Sequence, residues 1–235
     1  MSRIIIYGDI HGCLEEFKNL RKKIDFNEND KEIVIGDILD KGPYSVETLR
    51  FCIENKIESI LGNHEYKYLR YKKHYELFVK TNKKIPMKLD DEKSKIFESL
   101  NNEDFEYLLN MNFYKKIDNL TLIHAGITND IKLDENNQHD LEKLLWIRKL
   151  DDNQKPVALR DSNLNYKWWS EYYNGNQGFI IYGHQPFDKI KIDEYSIGID
   201  TGCVHGNKLT ALIINDTINP KDNYYLVQIE GNKYA

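Results

Sequence analysis

The residues best suited to chemistry are Asp37, Asp40 and Lys41, held in the stretch Gly36-Asp37-Ile38-Leu39-Asp40-Lys41-Gly42-Pro43. The stretch directly follows the β-branched run Ile33-Val34-Ile35, so a short strand stops at Gly-Asp and Gly42-Pro43 forces a turn. A carboxylate at the C-terminal edge of a strand lies where open α/β sheets collect their ligands. Two acids and one base within five residues would repel or be solvated in an ordinary turn, whereas around a dication and a phosphate each has a task.

The same punctuation recurs along the chain. Arg3 to Tyr7 reads as a strand ending in Gly8-Asp9-Ile10-His11-Gly12-Cys13, and Leu14, Phe17, Leu20 and Ile24 continue with helical spacing. Asp9 and His11, two apart on an extended segment, point to one side, and a carboxylate with an imidazole is a common ligand pair for a catalytic divalent metal. A Gly-Asp turn with a hydrogen-bonded histidine fits the same residues. Ile57 to Leu61 ends in Gly62-Asn63-His64-Glu65, where Asn63 suits a helix N-cap and His64 is left unexplained. Leu120 to Ile123 hands over His124-Ala125-Gly126, and Phe179 to Tyr182 hands over Gly183-His184. Five strand ends therefore deliver Asp9, His11, Asp37, Asn63, His124 and His184 to loops. Of seven histidines, those at 11, 64, 124 and 184 stand in these loops. Buried carboxylates and imidazoles without partners would be costly, and a metal centre removes that cost.

The elements that must position these groups follow from apolar periodicity. After the second strand a helix is expected from Ser45 to Glu54, which gives a βαβ arrangement. Residues 66 to 118 break the rhythm as a helical insertion, with helices near 66–80 and 92–111 joined through Lys83-Lys84-Ile85-Pro86. Its lysines at 72, 73, 80, 83, 84 and 88 fit a solvated face, or a rim that attracts an anionic substrate. A further helix carries Leu141, Leu144, Leu145 and Trp146. The aromatics Trp168, Trp169, Tyr172 and Tyr173 suit core packing or the wall of a binding site. Strands at 195–200, 208–214 and 224–229 read as a closing meander in an antiparallel or mixed sheet. No tandem repeat or linker divides the chain, so a single domain over 1–235 is expected.

At 235 residues, 40% hydrophobic and 30% charged, the chain has the composition of one globular α/β domain with a sizeable core. No apolar run approaches the roughly 20 residues of a membrane span, and Ile4-Ile5-Ile6 is too short for a signal peptide. Three cysteines, 13, 52 and 203, in no metal-type pairing fit a reducing compartment, hence the cytoplasm. A net charge of −5 argues against broad nucleic-acid binding and leaves a small phosphorylated substrate open. Arginine occurs only at 3, 21, 50, 70, 148 and 160, so any task that needs a guanidinium has few candidates.

With these clusters in order, the chain resembles the calcineurin-like metallophosphoesterases, in particular the phosphoprotein phosphatase family and its bacterial diadenosine-tetraphosphatase and ApaH-like branch. The family patterns Gly-Asp-x-His-Gly, Gly-Asp-x-x-Asp-Arg-Gly, Gly-Asn-His-Glu, His-Ala-Gly and Gly-His stand here at 8–12, 36–42, 62–65, 124–126 and 183–184. The resemblance implies two mixed β-sheets packed as a central sandwich flanked by helices. It also implies two divalent metal ions, one bound by Asp9, His11 and Asp37, the other by Asp37, Asn63, His124 and His184, with Asp37 shared. Two such ions activate water and neutralise phosphoryl oxygens for in-line attack. His64 is implied as the acid that protonates the leaving oxygen, oriented by Asp40. Lys41 departs from the usual arginine and gives a point charge in place of a planar fork. Arg148, in Trp146-Ile147-Arg148, matches the second phosphate clamp, with Asn63 beside it. Asp200-Thr201-Gly202-Cys203-Val204 with Leu209-Thr210-Ala211-Leu212 also resembles the bacterial branch, and His205, where an aromatic is commoner, defaults to a loop hydrogen bond.

Within that resemblance the substrate is a nucleoside polyphosphate such as diadenosine tetraphosphate, with phosphoserine or phosphothreonine in proteins as the alternative. A non-catalytic binding module of the same fold ranks lower, because every ligand position and both His64 and Asp40 are intact. A nucleic-acid phosphodiesterase has little support from the charge. For the metal, manganese is expected, with iron, zinc, magnesium and nickel suiting the same donors.

Overall fold

The computed structural model describes residues 3–158, 160–161 and 165–235. In chain order the elements begin β1 (Ile4–Tyr7), α1 (Leu14–Ile24), β2 (Lys31–Val34), α2 (Ser45–Glu54), β3 (Glu58–Ser59), α3 (Asn63–Thr81), α4 (Asp91–Ser99) and α5 (Asn102–Leu109). They continue β4 (Tyr114–Ile117), β5 (Leu120–Ile123), α6 (Gln138–Lys143), β6 (Lys149–Leu150) and β7 (Lys167–Trp168). The last are β8 (Phe179–Tyr182), β9 (Lys191–Asp193), β10 (Ser196–Gly198), β11 (Lys208–Ile214) and β12 (Tyr224–Glu230).

Two five-stranded mixed sheets result, ordered β12-β11-β1-β2-β3 and β4-β5-β8-β10-β9. In the first, β1, β2 and β3 run parallel and β11 and β12 are antiparallel additions. In the second, β5, β8 and β10 run parallel, flanked by antiparallel β4 and β9.

Alternation along the strands explains the layering. Ile4 and Ile6 of β1 and Ile33 of β2 point into one cluster with Leu120, Leu122, Phe179 and Ile181 of the second sheet, which glues the sandwich. Ile5, Tyr7 and Val34 face the other way, onto Phe17 and Leu20 of α1 and Leu49 of α2. Ile123, Ile180 and Tyr182 leave the second sheet on its outer face, against Ile127, Leu144 and Trp169. Strands covered on both faces must be apolar throughout, which is why these read as unbroken runs.

The structure corrects several boundaries. The 92–111 helix is two, because Asn101 caps α5 through a reciprocal pair with Asp104 and Leu100 turns extended to bury its side chain. Helix ends at Leu109, and Tyr114–Ile117 has already joined the second sheet, so the helical part of the insertion stops before 118. The 57–61 strand shrinks to two residues plus a bridge from Ile60 to Asn112. The helix near 141–146 is only Gln138–Lys143. The closing meander is divided: β10 pairs with β8 and the unforeseen β9 in the second sheet, while β11 and β12 form a hairpin on the first. Trp169 and Tyr173 are core, whereas Trp168 is half-buried.

Candidate metal centre

Each of six parallel strands, three per sheet, hands one polar group to the loops that follow: Asp9 after β1, Asp37 after β2, Asn63 after β3, His124 after β5, His184 after β8 and Asp200 after β10. The loops bend sharply to do so. Among the described residues ten non-glycines have positive φ, and five of them, His11, Asp37, Asp40, Lys41 and His184, stand in these loops. Such backbone is strained by about 1–3 kcal/mol per residue and persists only where its surroundings over-determine it. Gly36, at φ 95, is required: a Cβ there would lie 2.7 Å from the Gly62 Cα and 2.8 Å from the His124 Nδ1.

Asp37 is the centre of the arrangement. Its Oδ1 lies 3.3 Å from the His124 Nε2 and accepts from the His64 backbone N–H at 3.1 Å. Its Oδ2 lies 3.5 Å from the His11 Nε2 and 3.8 Å from the His64 Nε2. The ligand atoms of His11, Asp37 and His64 fall within 4.8 Å of one another, as do those of Asp37, His124 and His184. Asp37 therefore belongs to both groups and turns one oxygen to each. Burial alone would raise its pKa, but His124 and His64 outweigh burial and hold it well below the ordinary carboxylate range.

The histidines are prepared for a cation to different degrees. His11 donates Nδ1–H to the Leu39 carbonyl at 2.8 Å, which leaves Nε2 as a bare lone pair, and burial pushes its pKa down to about 3. Onto that lone pair Lys41 places its ammonium at 2.8 Å, so a positive charge already stands where a metal would. His184 is likewise held neutral, by burial first and then by His124 and Arg148. Arg148 donates Nε–H to its Nε2 at 2.9 Å, so the guanidinium covers the ring's bare lone pair and the ring proton is on Nδ1. His124 donates Nδ1–H to the Ile35 carbonyl at 2.9 Å, and its Nε2 meets the Asn63 Oδ1 at 2.9 Å. Asn63 is thus the first helical residue of α3, with Gly62 at the cap, and its side chain turns inward and does not cap the helix.

His64 and Asp40 form a pair apart: Nδ1–H donates to Oδ2 at 2.6 Å, and the Tyr68 hydroxyl donates to the other oxygen. Burial lowers the His64 pKa, but Asp37 and the Asp40 hydrogen bond win and raise it above the ordinary value. Asp9 lies outside both 4.8 Å groups; its two oxygens accept the His184 backbone N–H at 3.1 Å each. Burial, then Asp200 and Asp37, raise its pKa well above normal. Asp9, Asp37, Asp40, Glu65 and Asp200 are all buried. That much buried acid beside the imidazoles of His11, His124 and His184 is a donor set of mixed O and N character that a divalent ion fits.

Two participants were not singled out from sequence. Glu65, fully buried, accepts the backbone N–H groups of Asp37 at 2.8 Å and of Ile38 and Leu39 at 3.0 Å each, and so fixes the loop that carries Asp37. Burial and Asp37 push its pKa up to about 7. Asp200 sits beside Asp9 and accepts the Gly202 N–H at 2.9 Å. The signal for Asp200 was a sixth strand ending in an acid; for Glu65 there was none beyond its place after His64. His205 is exposed at the far loop, 3.2 Å from the Ala235 carbonyl through Nδ1, as a loop hydrogen bond requires.

This fold and this site define a calcineurin-like phosphoesterase: residues 2–211 match that family, and the chain belongs to it. Its relatives include the asymmetrical bis(5'-nucleosyl)-tetraphosphatase PrpE of Oceanobacillus iheyensis, 29% identical with 89% of this chain and 87% of the relative covered. The PrpE of Anoxybacillus flavithermus is 30% identical, with 88% of each covered. Among solved structures, one described as a candidate diadenosine tetraphosphatase shares the fold at a TM-score of 0.78 and 23% identity, covering 98% of this chain and 94% of that one. A serine/threonine phosphatase of Saccharomyces cerevisiae shares it at 0.57 and 14%, covering 100% and 81%.

Proposed function

We propose that the chain is a dinuclear metal phosphatase that hydrolyses nucleoside polyphosphates of the diadenosine tetraphosphate kind. The observation that carries this is Asp37, whose two oxygens face two separate ligand groups. One ion would be held by His11 and Asp37 with Asp9 behind them, the other by Asp37, Asn63, His124 and His184. Manganese suits these mixed donors, as do iron, zinc, magnesium and nickel. Bound there, two divalent ions lower the pKa of water and neutralise phosphoryl oxygens.

The chain's own groups do the rest. Lys41, against His11, and Arg148, against His184, hold the phosphoryl oxygens. Asn63, against His124, serves as ligand and phosphate donor. His64, whose pKa Asp37 and Asp40 raise against the effect of burial, gives its Nε2 proton to the leaving oxygen, and Asp40 with Tyr68 fixes the ring.

The PrpE relatives support the nucleotide reading over phosphoserine and phosphothreonine. We take residues 1–235 as one catalytic domain that works in the cytoplasm without stable nucleic-acid binding. Three free, buried cysteines suit a reducing compartment, and no described helix is long and apolar enough to cross a membrane. Parallel assays of the manganese-loaded protein on diadenosine tetraphosphate and on a phosphothreonine peptide test the substrate. Faster turnover of the dinucleotide is expected, and hydrolysis of the peptide alone would refute it.

A further inference from the structure

Lys41 and Arg148 meet the centre in the same way. Lys41 places its Nζ 2.8 Å from the His11 Nε2, and Arg148 places its Nε 2.9 Å from the His184 Nε2. Each therefore covers the lone pair of an imidazole that stands among the proposed metal ligands. The His11 Nδ1–H is fixed on the Leu39 carbonyl at 2.8 Å, so Nε2 is the one nitrogen that ring can offer an ion. Among the described residues neither cation forms an ion pair, although Asp9, Asp37 and Asp200 are buried close by and feel one or both charges.

A nitrogen lone pair holds one partner at a time. An ion that takes the His11 Nε2 must therefore dislodge Lys41, and an ion that takes the His184 Nε2 must dislodge Arg148. The backbones of both are fixed, Lys41 at φ 68 in the loop that carries Asp37, and Arg148 through its carbonyl, which accepts the Trp169 N–H at 3.0 Å. Their side chains are half-buried and unbranched, and what each gives up is a hydrogen bond to an imidazole, not to a carboxylate. Arg148 keeps a second hold, since its Nη1 donates to the Gln185 Oε1 at 2.9 Å.

Given the dinuclear reading, we propose that Lys41 and Arg148 each have two stations: the ring nitrogen in the metal-free protein, and phosphoryl oxygens once ions are bound. They are internal cations that compete with the metal. In its absence their charges offset part of the buried acid of Asp9, Asp37 and Asp200. Metal entry frees two phosphate ligands, and phosphate, by drawing them off the rings, opens two nitrogens to metal. Metal and phosphate thus strengthen each other's binding through these two side chains, and linkage makes the effect reciprocal. The signature is a pair of opposite signs: loss of either cation tightens metal and loosens phosphate. A residue that served phosphate alone would leave metal affinity unchanged, and one that merely supported the fold would loosen both.

Calorimetric titration with manganese chloride, and then with inorganic phosphate, tests this. Lys41→Met and Arg148→Met are each expected to bind manganese on the order of tenfold more tightly than the unaltered protein, because no cation has to be moved. Once loaded, each is expected to bind inorganic phosphate on the order of tenfold more weakly. Lys93→Met controls for charge alone, since Lys93 lines the groove beside Asn63 and His64 but pairs with Asp90 at 2.7 Å. Its manganese affinity is expected to stay within about twofold of the unaltered protein. Lys41→Gln and Arg148→Gln replace a Met variant that does not fold without metal. Unchanged or weaker manganese affinity on loss of either cation would overturn the proposal and leave the dinuclear reading intact, as would an equal gain from Lys93→Met. If none of these proteins takes up manganese, both fall.

Discussion

Glu65→Gln isolates the loop that carries Asp37 without touching any metal-facing atom. In the native site one carboxylate oxygen accepts the Asp37 N–H and the other accepts those of Ile38 and Leu39. A glutamine has one acceptor oxygen, which best serves Ile38 and Leu39 and turns its NH₂ against the buried Asp37 N–H. One buried donor left unpaired costs about 1–3 kcal/mol, and the two bonds that survive lose their charge assistance. Opposing this, the substitution removes a carboxylate that burial and Asp37 disfavour, so the two effects offset each other in the stability of the metal-free protein. They do not offset in the site, because Asp37 at φ 53 loses the anchor that holds its strained backbone. Manganese affinity is therefore expected to fall roughly 10- to 100-fold, with the melting temperature of the metal-free protein changed little. Calorimetric titration of both proteins measures this. Affinity within twofold of wild type, with full activity, would refute the view that Glu65 positions Asp37.

His64→Asn should lower turnover of an alkyl phosphate by about 10²- to 10⁴-fold while metal content by elemental analysis stays at the wild-type level; unchanged turnover would remove His64 from the acid role. The His11 pKa is depressed in the folded state, so the stability it contributes is complete above the unfolded value of 6.5 and is lost as pH falls toward 3. Metal-free protein should lose about 1.4 kcal/mol per pH unit to this group within that window, and His11→Asn should reduce the slope seen in urea titrations. Gly36→Ala forces a Cβ against Gly62 and His124 at positive φ, and should both destabilise the protein and weaken metal uptake, as read by melting temperature and calorimetry.

What could be read from sequence was governed by local patterns. Strands such as Ile4–Tyr7 and Phe179–Tyr182 are buried on both faces, so their apolar runs end abruptly at the groups they deliver, and Asp9, His11, Asp37, Asn63, His124 and His184 were all visible. Long-range pairing was not. Nothing local says that Ser196–Gly198 joins the second sheet while Lys208–Ile214 joins the first, since the choice is made by the layers between which each strand packs. Asn63 had the residue type of a cap, but the attraction of the His124 ring turned it inward. Glu65 escaped notice because its work is done on backbone N–H groups 26–28 positions earlier. Trp146 and Arg148 line one cleft, although the helix expected to carry Leu141 to Trp146 ends at Lys143.

The most direct measurement is the crystal structure of manganese-soaked protein with anomalous scattering recorded at the metal edge. Two peaks about 3.5–4 Å apart, with one oxygen of Asp37 lying against each or one oxygen between both, are the predicted result. No bound manganese, or a single ion that does not touch Asp37, would contradict the central claim.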